Sequence, residues 1–132
     1  SSLPSRYPPI YTLYFDLNIA TPTPQSTDQL EVWWQNNARD FIVKIQEFAL
    51  VLEGHADVTG ATDSNENLSI NRAIWFKAWL ISKGVDAEHI STRGMGARFP
   101  VKRCPNISDP FGECPPEVHA ANRRVELRWE VL

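Results

Sequence analysis

Asp57 and Arg72 are the two residues whose types and spacing could do the most specific chemistry in this chain. Asp57 stands in Glu53-Gly54-His55-Ala56-Asp57-Val58-Thr59-Gly60, and Arg72 in Asn65-Glu66-Asn67-Leu68-Ser69-Ile70-Asn71-Arg72-Ala73. An aspartate at the end of a strand and an arginine in the first turns of the next helix can face one cleft. There the carboxylate takes an ammonium, while the guanidinium grips a carboxylate bidentately. Such a pair is a receptor for a zwitterion. Each residue also has a plainer reading: Asp57 as a turn residue bonded to its own backbone near Val58-Thr59-Gly60, and Arg72 as a helix arginine whose stem covers Leu68 and Trp75.

Other chemistries fare less well. His55 and Asp57, two apart on a strand, could face one way and bind a metal with His89 or His119, but no third ligand stands at motif spacing. No metal or other cofactor is therefore expected. Ser, His and carboxylate residues are present, yet none occupies a nucleophile elbow or a similar setting, so the chain is not read as an enzyme. Ser69 beside Ala73 reads as a small packing residue, and Trp75 and Trp79 recur at the spacing of a helix core.

These residues need elements to position them. Residues 10–17 are rich in β-formers and follow a Pro pair, which predicts a first strand ending at Asp16. After a Pro-Thr-Pro turn, Asp28 can cap a helix with Leu30, Trp33, Trp34, Phe41 and Ile45 at helical spacing. The apolar run 48–53 reads as a buried central strand that delivers His55 and Asp57 to its carboxyl end. Asp63 with Glu66 suggests a capping box for a second helix, ending near Lys83 before Gly84. Along that helix Ser69, Ala73, Phe76 and Leu80 form one stripe. Leu68, Arg72, Trp75 and Trp79 form the next, which places Arg72 at the border of the core. Residues 90–97 predict a strand weakened by Gly94 and Gly96, 99–121 a long Pro-rich loop, and 123–131 a half-buried strand with a wet face of Arg124, Glu126, Arg128 and Glu130. The order βαβαββ gives an α/β (α+β) sandwich, a mixed sheet with helices on one face.

The ordered set Glu53-Gly54-His55-x-Asp57-x-x-Gly60, Asn65-x-x-Leu68-Ser69-x-x-Arg72-Ala73, Gly84-Val85, Ile90-Ser91-x-x-Gly94-x-Gly96, Pro100 and Asn122-Arg123-Arg124-Val125-Glu126 resembles the OmpA-like peptidoglycan-binding domains. The resemblance runs from about Tyr14 to Val131 and departs at Ala56, where Thr is frequent, and in a long loop between two cysteines. It implies an OmpA-like fold that attaches non-covalently to the cell wall through the free amino-acid end of diaminopimelate in the stem peptide. It assigns Asp57 to the ammonium and Arg72 to the carboxylate, with Asn65 and Leu68 lining the pocket and Asp16 and Arg123 nearby. On plainer readings Asn65 caps a helix, Asp16 starts a turn, and Arg123 or Arg124 points to solvent. Two other functions remain open: a metal-assisted amidase or peptidase acting on the same polymer, and a protein-interaction module of a secretion or motility machine that uses the cysteine loop.

With 132 residues, 42% of them hydrophobic, the chain suits one globular domain, 10–132, behind an extended linker, 1–9. A net charge of -3 without a basic stripe argues against a nucleic-acid partner. No apolar stretch approaches the roughly 20 residues of a membrane span, so any membrane attachment would come from a parent segment not in this sequence. Cys104 and Cys114 flank a loop-like stretch with no His inside it to complete a zinc set, and a disulfide is expected, two free thiols being the alternative. Such a bond would contribute roughly 2 to 3 kcal/mol and suits the oxidising periplasm.

Overall fold

The computed structural model describes residues 7–105 and 114–131. Residues 1–6 of the expected linker, and most of the loop between the cysteines, lie outside these. The elements run β1 (Tyr11–Tyr14), α1 (Pro24–Lys44), β2 (Phe48–His55), α2 (Thr62–Ser82), a 3-10 turn (Ala87–His89), β3 (Ile90–Gly94), α3 (Pro116–Asn122) and β4 (Arg124–Val131). They build one four-stranded sheet in the order β1-β4-β2-β3. β2 and β3 are parallel, as the crossover through α2 requires, and the other pairs are antiparallel. The expected mixed α/β sandwich is what forms.

Alternation along the two central strands decides which side chains meet the helices. Leu50 and Leu52 of β2 and Val125, Leu127 and Trp129 of β4 join Leu30, Trp34 and Phe41 of α1 and Ala73, Phe76 and Leu80 of α2 in one core. Aromatic edges fill much of it, with Trp34 against Trp79 at 5.8 Å and Phe41 against Trp129 at 5.0 Å between ring centroids. Among the described residues no helix is long and apolar enough to cross a membrane.

Three local expectations are corrected. α1 starts earlier than Asp28: Thr23 caps it, accepting a bond from the Ser26 N–H, and Pro24 opens it, an arrangement favoured because proline lacks only an N–H the first turn leaves unused. No capping box opens α2, whose cap is Ala61. Glu66 instead reaches across to Arg98. The stretch read as a loop contains α3, which begins at a Pro pair and buries only Val118 and Asn122.

The opposite face of the sheet is not the wet surface expected of β4. Arg124 and Glu126 are buried, and they head a chain of ion pairs. Arg124 donates to Glu126 at 2.7 Å, Arg128 donates to Glu126 at 2.6 Å and lies 3.3 Å from a carboxylate oxygen of Glu53, and Arg93 donates to Glu53 at 3.5 Å and to Glu130 at 2.9 Å. Backbone covers this face at two points: Arg124 donates to the Phe99 carbonyl and Arg128 to that of Tyr7, whose ring also meets Phe48.

Candidate functional site

α2 lies unusually close to the sheet, because two glycines let it. A Cβ on Gly54 of β2 would sit 1.7 Å from the Ser69 carbonyl oxygen, and one on Gly94 of β3 would sit 2.9 Å from the Ile70 Cβ. Ser69 uses the contact, donating to the Glu66 carbonyl and accepting from the Gly96 N–H. The expectation of a mere packing residue misses this second duty. One turn further on, this close approach carries Arg72 below the surface.

Arg72 does not sit at the border of the core; it is fully buried. Its Nε donates to the Ile19 carbonyl at 3.0 Å, and its two terminal nitrogens to the carbonyls of His55 at 2.9 Å and Asp16 at 2.8 Å. The guanidinium also lies over the Phe15 ring, 5.2 Å from its centroid. A guanidinium has five N–H groups, so these bonds leave one on each terminal nitrogen. Burial lowers its pKa to about 10; the negative charge of Asp57 opposes that shift and Arg123 adds to it. Arg72 is therefore still a cation at neutral pH.

Asp57 lies just past the end of β2 and is buried. One carboxylate oxygen accepts from the Thr59 N–H at 2.9 Å and from its hydroxyl, which is the turn bond of the plainer reading. The other accepts from Arg123 at 3.3 Å. Arg123 does not point to solvent: its Nε donates to the Phe15 carbonyl at 2.8 Å. Asp57, Arg72 and Arg123 thus form one small charged centre where β1 and β2 end and β4 begins.

The other expected residues divide between two clefts beside this centre. Asn65 and Leu68, with Asn18 and Gly60, line one of about 410 Å³. Asn65 is inside the first turn of α2 and does not cap it. Asp16 and Arg123 line the other, of about 620 Å³, with the first turn of α1 and with α3. The connection from β1 to α1 contributes to both, Asp16 to the larger and Asn18 to the smaller. This turn is fixed by Arg72 and by Asn18, whose φ of 57° is a left-handed conformation that asparagine tolerates. Phe15 and Asn18 were missed in the sequence, and so was the part of the Thr59 hydroxyl, which joins its N–H on Asp57. Only Thr59 left a signal, in the Asp-x-Thr turn.

His55 and Asp57 do not form a ligand pair, because strand alternation ends at His55 and Asp57 turns toward Arg123. Among the described residues, His55 clusters with Glu53 and Glu126, while His119 lies near the cysteines. Arg93 and Arg128 hold Glu53, and Arg124 and Arg128 hold Glu126, so both carboxylates face guanidinium groups that a metal would have to displace. Cys104 and Cys114 are bonded to each other, with Cα atoms 5.1 Å apart.

Comparison with known proteins agrees with this architecture. The profile of the OmpA family matches residues 14–110. Outer membrane protein A of Buchnera aphidicola is 33% identical over 97 residues, 72% of this chain and 27% of that protein. The peptidoglycan-associated lipoprotein of Mesorhizobium japonicum is 31% identical over 98 residues, 73% of this chain and 54% of that protein. The chain thus matches between about a quarter and about half the length of these relatives. Among solved structures, the peptidoglycan-associated lipoprotein of Burkholderia pseudomallei superposes with a TM-score of 0.72 at 22% identity, over 90% of this chain and 89% of that one. With the profile matching residues 14–110 and relatives 31–33% identical over more than two thirds of its length, the chain belongs to the OmpA family.

Proposed function

We propose that this domain anchors an envelope protein in the periplasm to peptidoglycan, without catalysis, by binding the diaminopimelate end of the stem peptide. Asp57 takes the ligand ammonium and Arg72 its carboxylate, Asn65 and Leu68 line the entrance, and Arg123 and Asp16 flank the pair. The observation that carries this reading is the juxtaposition of Asp57 with a buried, still cationic Arg72 beside an open cleft. The contact from Arg123 to Asp57, at 3.3 Å, is longer than the usual 2.7 to 2.9 Å of a charge-assisted bond. An incoming ammonium can therefore share that oxygen. Arg72 keeps one N–H on each terminal nitrogen beyond its bonds to the Ile19, His55 and Asp16 carbonyls, and these two are the donors for the ligand carboxylate. The names of the relatives, an outer membrane protein and a peptidoglycan-associated lipoprotein, agree with this assignment.

The test is co-sedimentation with purified wall sacculi. Asp57→Asn removes the charge but keeps an oxygen for the Thr59 bonds. Retention on sacculi should fall well over tenfold, since breaking a buried charge pair costs about 2 to 5 kcal/mol. A folded Asp57→Asn protein that sediments with sacculi as the parent does would refute the assignment of Asp57.

A further inference from the structure

The fold brings to the two cysteines a histidine that their loop does not contain. A ring nitrogen of His119, on α3, and the sulfurs of Cys104 and Cys114 lie within 4.8 Å of one another. Two thiolates and an imidazole are a donor set for zinc, at about 2.3 Å to sulfur and 2.0 to 2.1 Å to nitrogen. Tetrahedral ligand atoms at those lengths stand roughly 3.5 to 3.8 Å apart, so only a small inward shift closes the set. The Nδ1 atom of His119 is buried and has no hydrogen-bond partner among the described residues. Buried polar atoms are nearly always paired, and this ring is therefore uncommitted in a way that a packing histidine is not.

Cys104 and Cys114 are bonded to each other, and while they are, neither sulfur can serve as a thiolate ligand. Reduction frees them. A dithiol attacks one sulfur, and the exchange ends with a disulfide in the reductant and with two electrons and two protons transferred to Cys104 and Cys114. Zinc then displaces the two thiol protons to solvent. Both cysteines are half-buried, so a reductant reaches them. The approach of the two segments does not depend on the S–S bond alone. Asn122, the last residue of α3, accepts from the Val101 and Lys102 N–H groups at 2.8 and 3.1 Å and donates to the Lys102 carbonyl at 2.8 Å. Cys104 follows Lys102 by two residues, and Cys114 precedes Pro116, which opens α3, by two. These bonds keep both thiols beside His119.

We infer that Cys104, Cys114 and His119 form a redox-gated zinc site, closed as a disulfide under oxidising conditions and opened by reduction as a Cys2His centre whose fourth position is left to solvent. The metal ties the segment at Cys104 to α3 in the reduced protein, as the disulfide does in the oxidised one. The inference is independent of the reading of Asp57 and Arg72.

The test is equilibrium dialysis against zinc, with the metal counted by mass spectrometry, on oxidised protein and on protein reduced with a dithiol that is then removed under inert gas. The reduced parent should bind one zinc per chain, at least about a hundredfold more tightly than the oxidised parent. Reduced His119→Gln should bind about a hundredfold more weakly than the reduced parent, since even residues that only support a ligand cost ten- to hundredfold. Zinc should also raise the urea midpoint of the reduced parent and not that of reduced His119→Gln, while the two oxidised proteins unfold alike, which distinguishes a ligand from a packing residue. Equal zinc affinity in the reduced parent and reduced His119→Gln, or in the reduced and oxidised parents, would overturn the site. So would alkylation of Cys104 and Cys114 in the reduced parent that is as fast with zinc as without it, a measurement that holds even if reduction loosens the loop.

Discussion

Arg72 works as a fastening as well as a charge. Its three bonds to the carbonyls of Asp16, Ile19 and His55 hold the turn between β1 and α1 against the end of β2. Removing the side chain strands those buried acceptors and leaves Asp57 with Arg123 as its ion-pair partner. We expect Arg72→Ala to cost about 3 to 5 kcal/mol of stability, as other broken buried charge networks do, seen as a lower urea midpoint. A variant as stable as the parent would show that those bonds do not hold the turn. Asp57→Asn is therefore the cleaner probe of ligand binding. The type and spacing of Asp57 and Arg72 were legible in the sequence. The depth of Arg72 was not, because helical phase places a residue beside the core without saying how closely its helix approaches the sheet. That depended on Gly54 and Gly94, which look like weak strand residues until Ser69 is found against them.

At the scale of elements, strong periodicity was readable and weak periodicity was not. α2 carries its stripe of Ser69, Ala73, Phe76 and Leu80 as the spacing predicts, all four fully buried. α3, with seven residues and two of them buried, has too little pattern to distinguish it from a loop. The outer face of β4 misled for another reason: alternating charges predict water, but here the charges pair with one another, and Arg124 and Glu126 are buried. Burial alone would raise the pKa of Glu126; hydrogen bonds and charge from Arg124, then Arg128, with the charge of His55, more than offset this and hold it below its ordinary 4.5. A carboxyl whose folded value lies below its unfolded one stabilises the fold above the unfolded value, and the contribution is lost as pH falls through the folded one. Glu126→Gln should therefore be markedly less stable than the parent at pH 7, and the gap should narrow below pH 4.5 as Glu126 itself protonates. Urea titrations at neutral and acid pH check this; a gap independent of pH would mean that the ion pairs of Glu126 contribute nothing.

For the molecule as a whole, the sheet order brings the ends of β1 and β2 and the start of β4 to one edge, and it is there that Asp57, Arg72 and Arg123 meet. Apart from α3, the order of strands and helices and the packing of α1 and α2 on one face followed from the pattern of the chain. The division of the candidate residues between two clefts did not, since it depends on how the 16–22 turn folds over Arg72. The central claim is that this edge reads a zwitterion. A stem peptide with diaminopimelate offers an ammonium and a carboxylate, whereas a lysine-type stem offers the ammonium alone and would leave Arg72 without its partner. A site built to hydrogen-bond a group discriminates against the analogue lacking it, and here the bidentate contact is expected to be worth on the order of 2 to 4 kcal/mol. The direct measurement is titration calorimetry of the same protein with the two stem peptides. The account predicts binding of the diaminopimelate form at least tenfold tighter than that of the lysine form; equal affinities would contradict it.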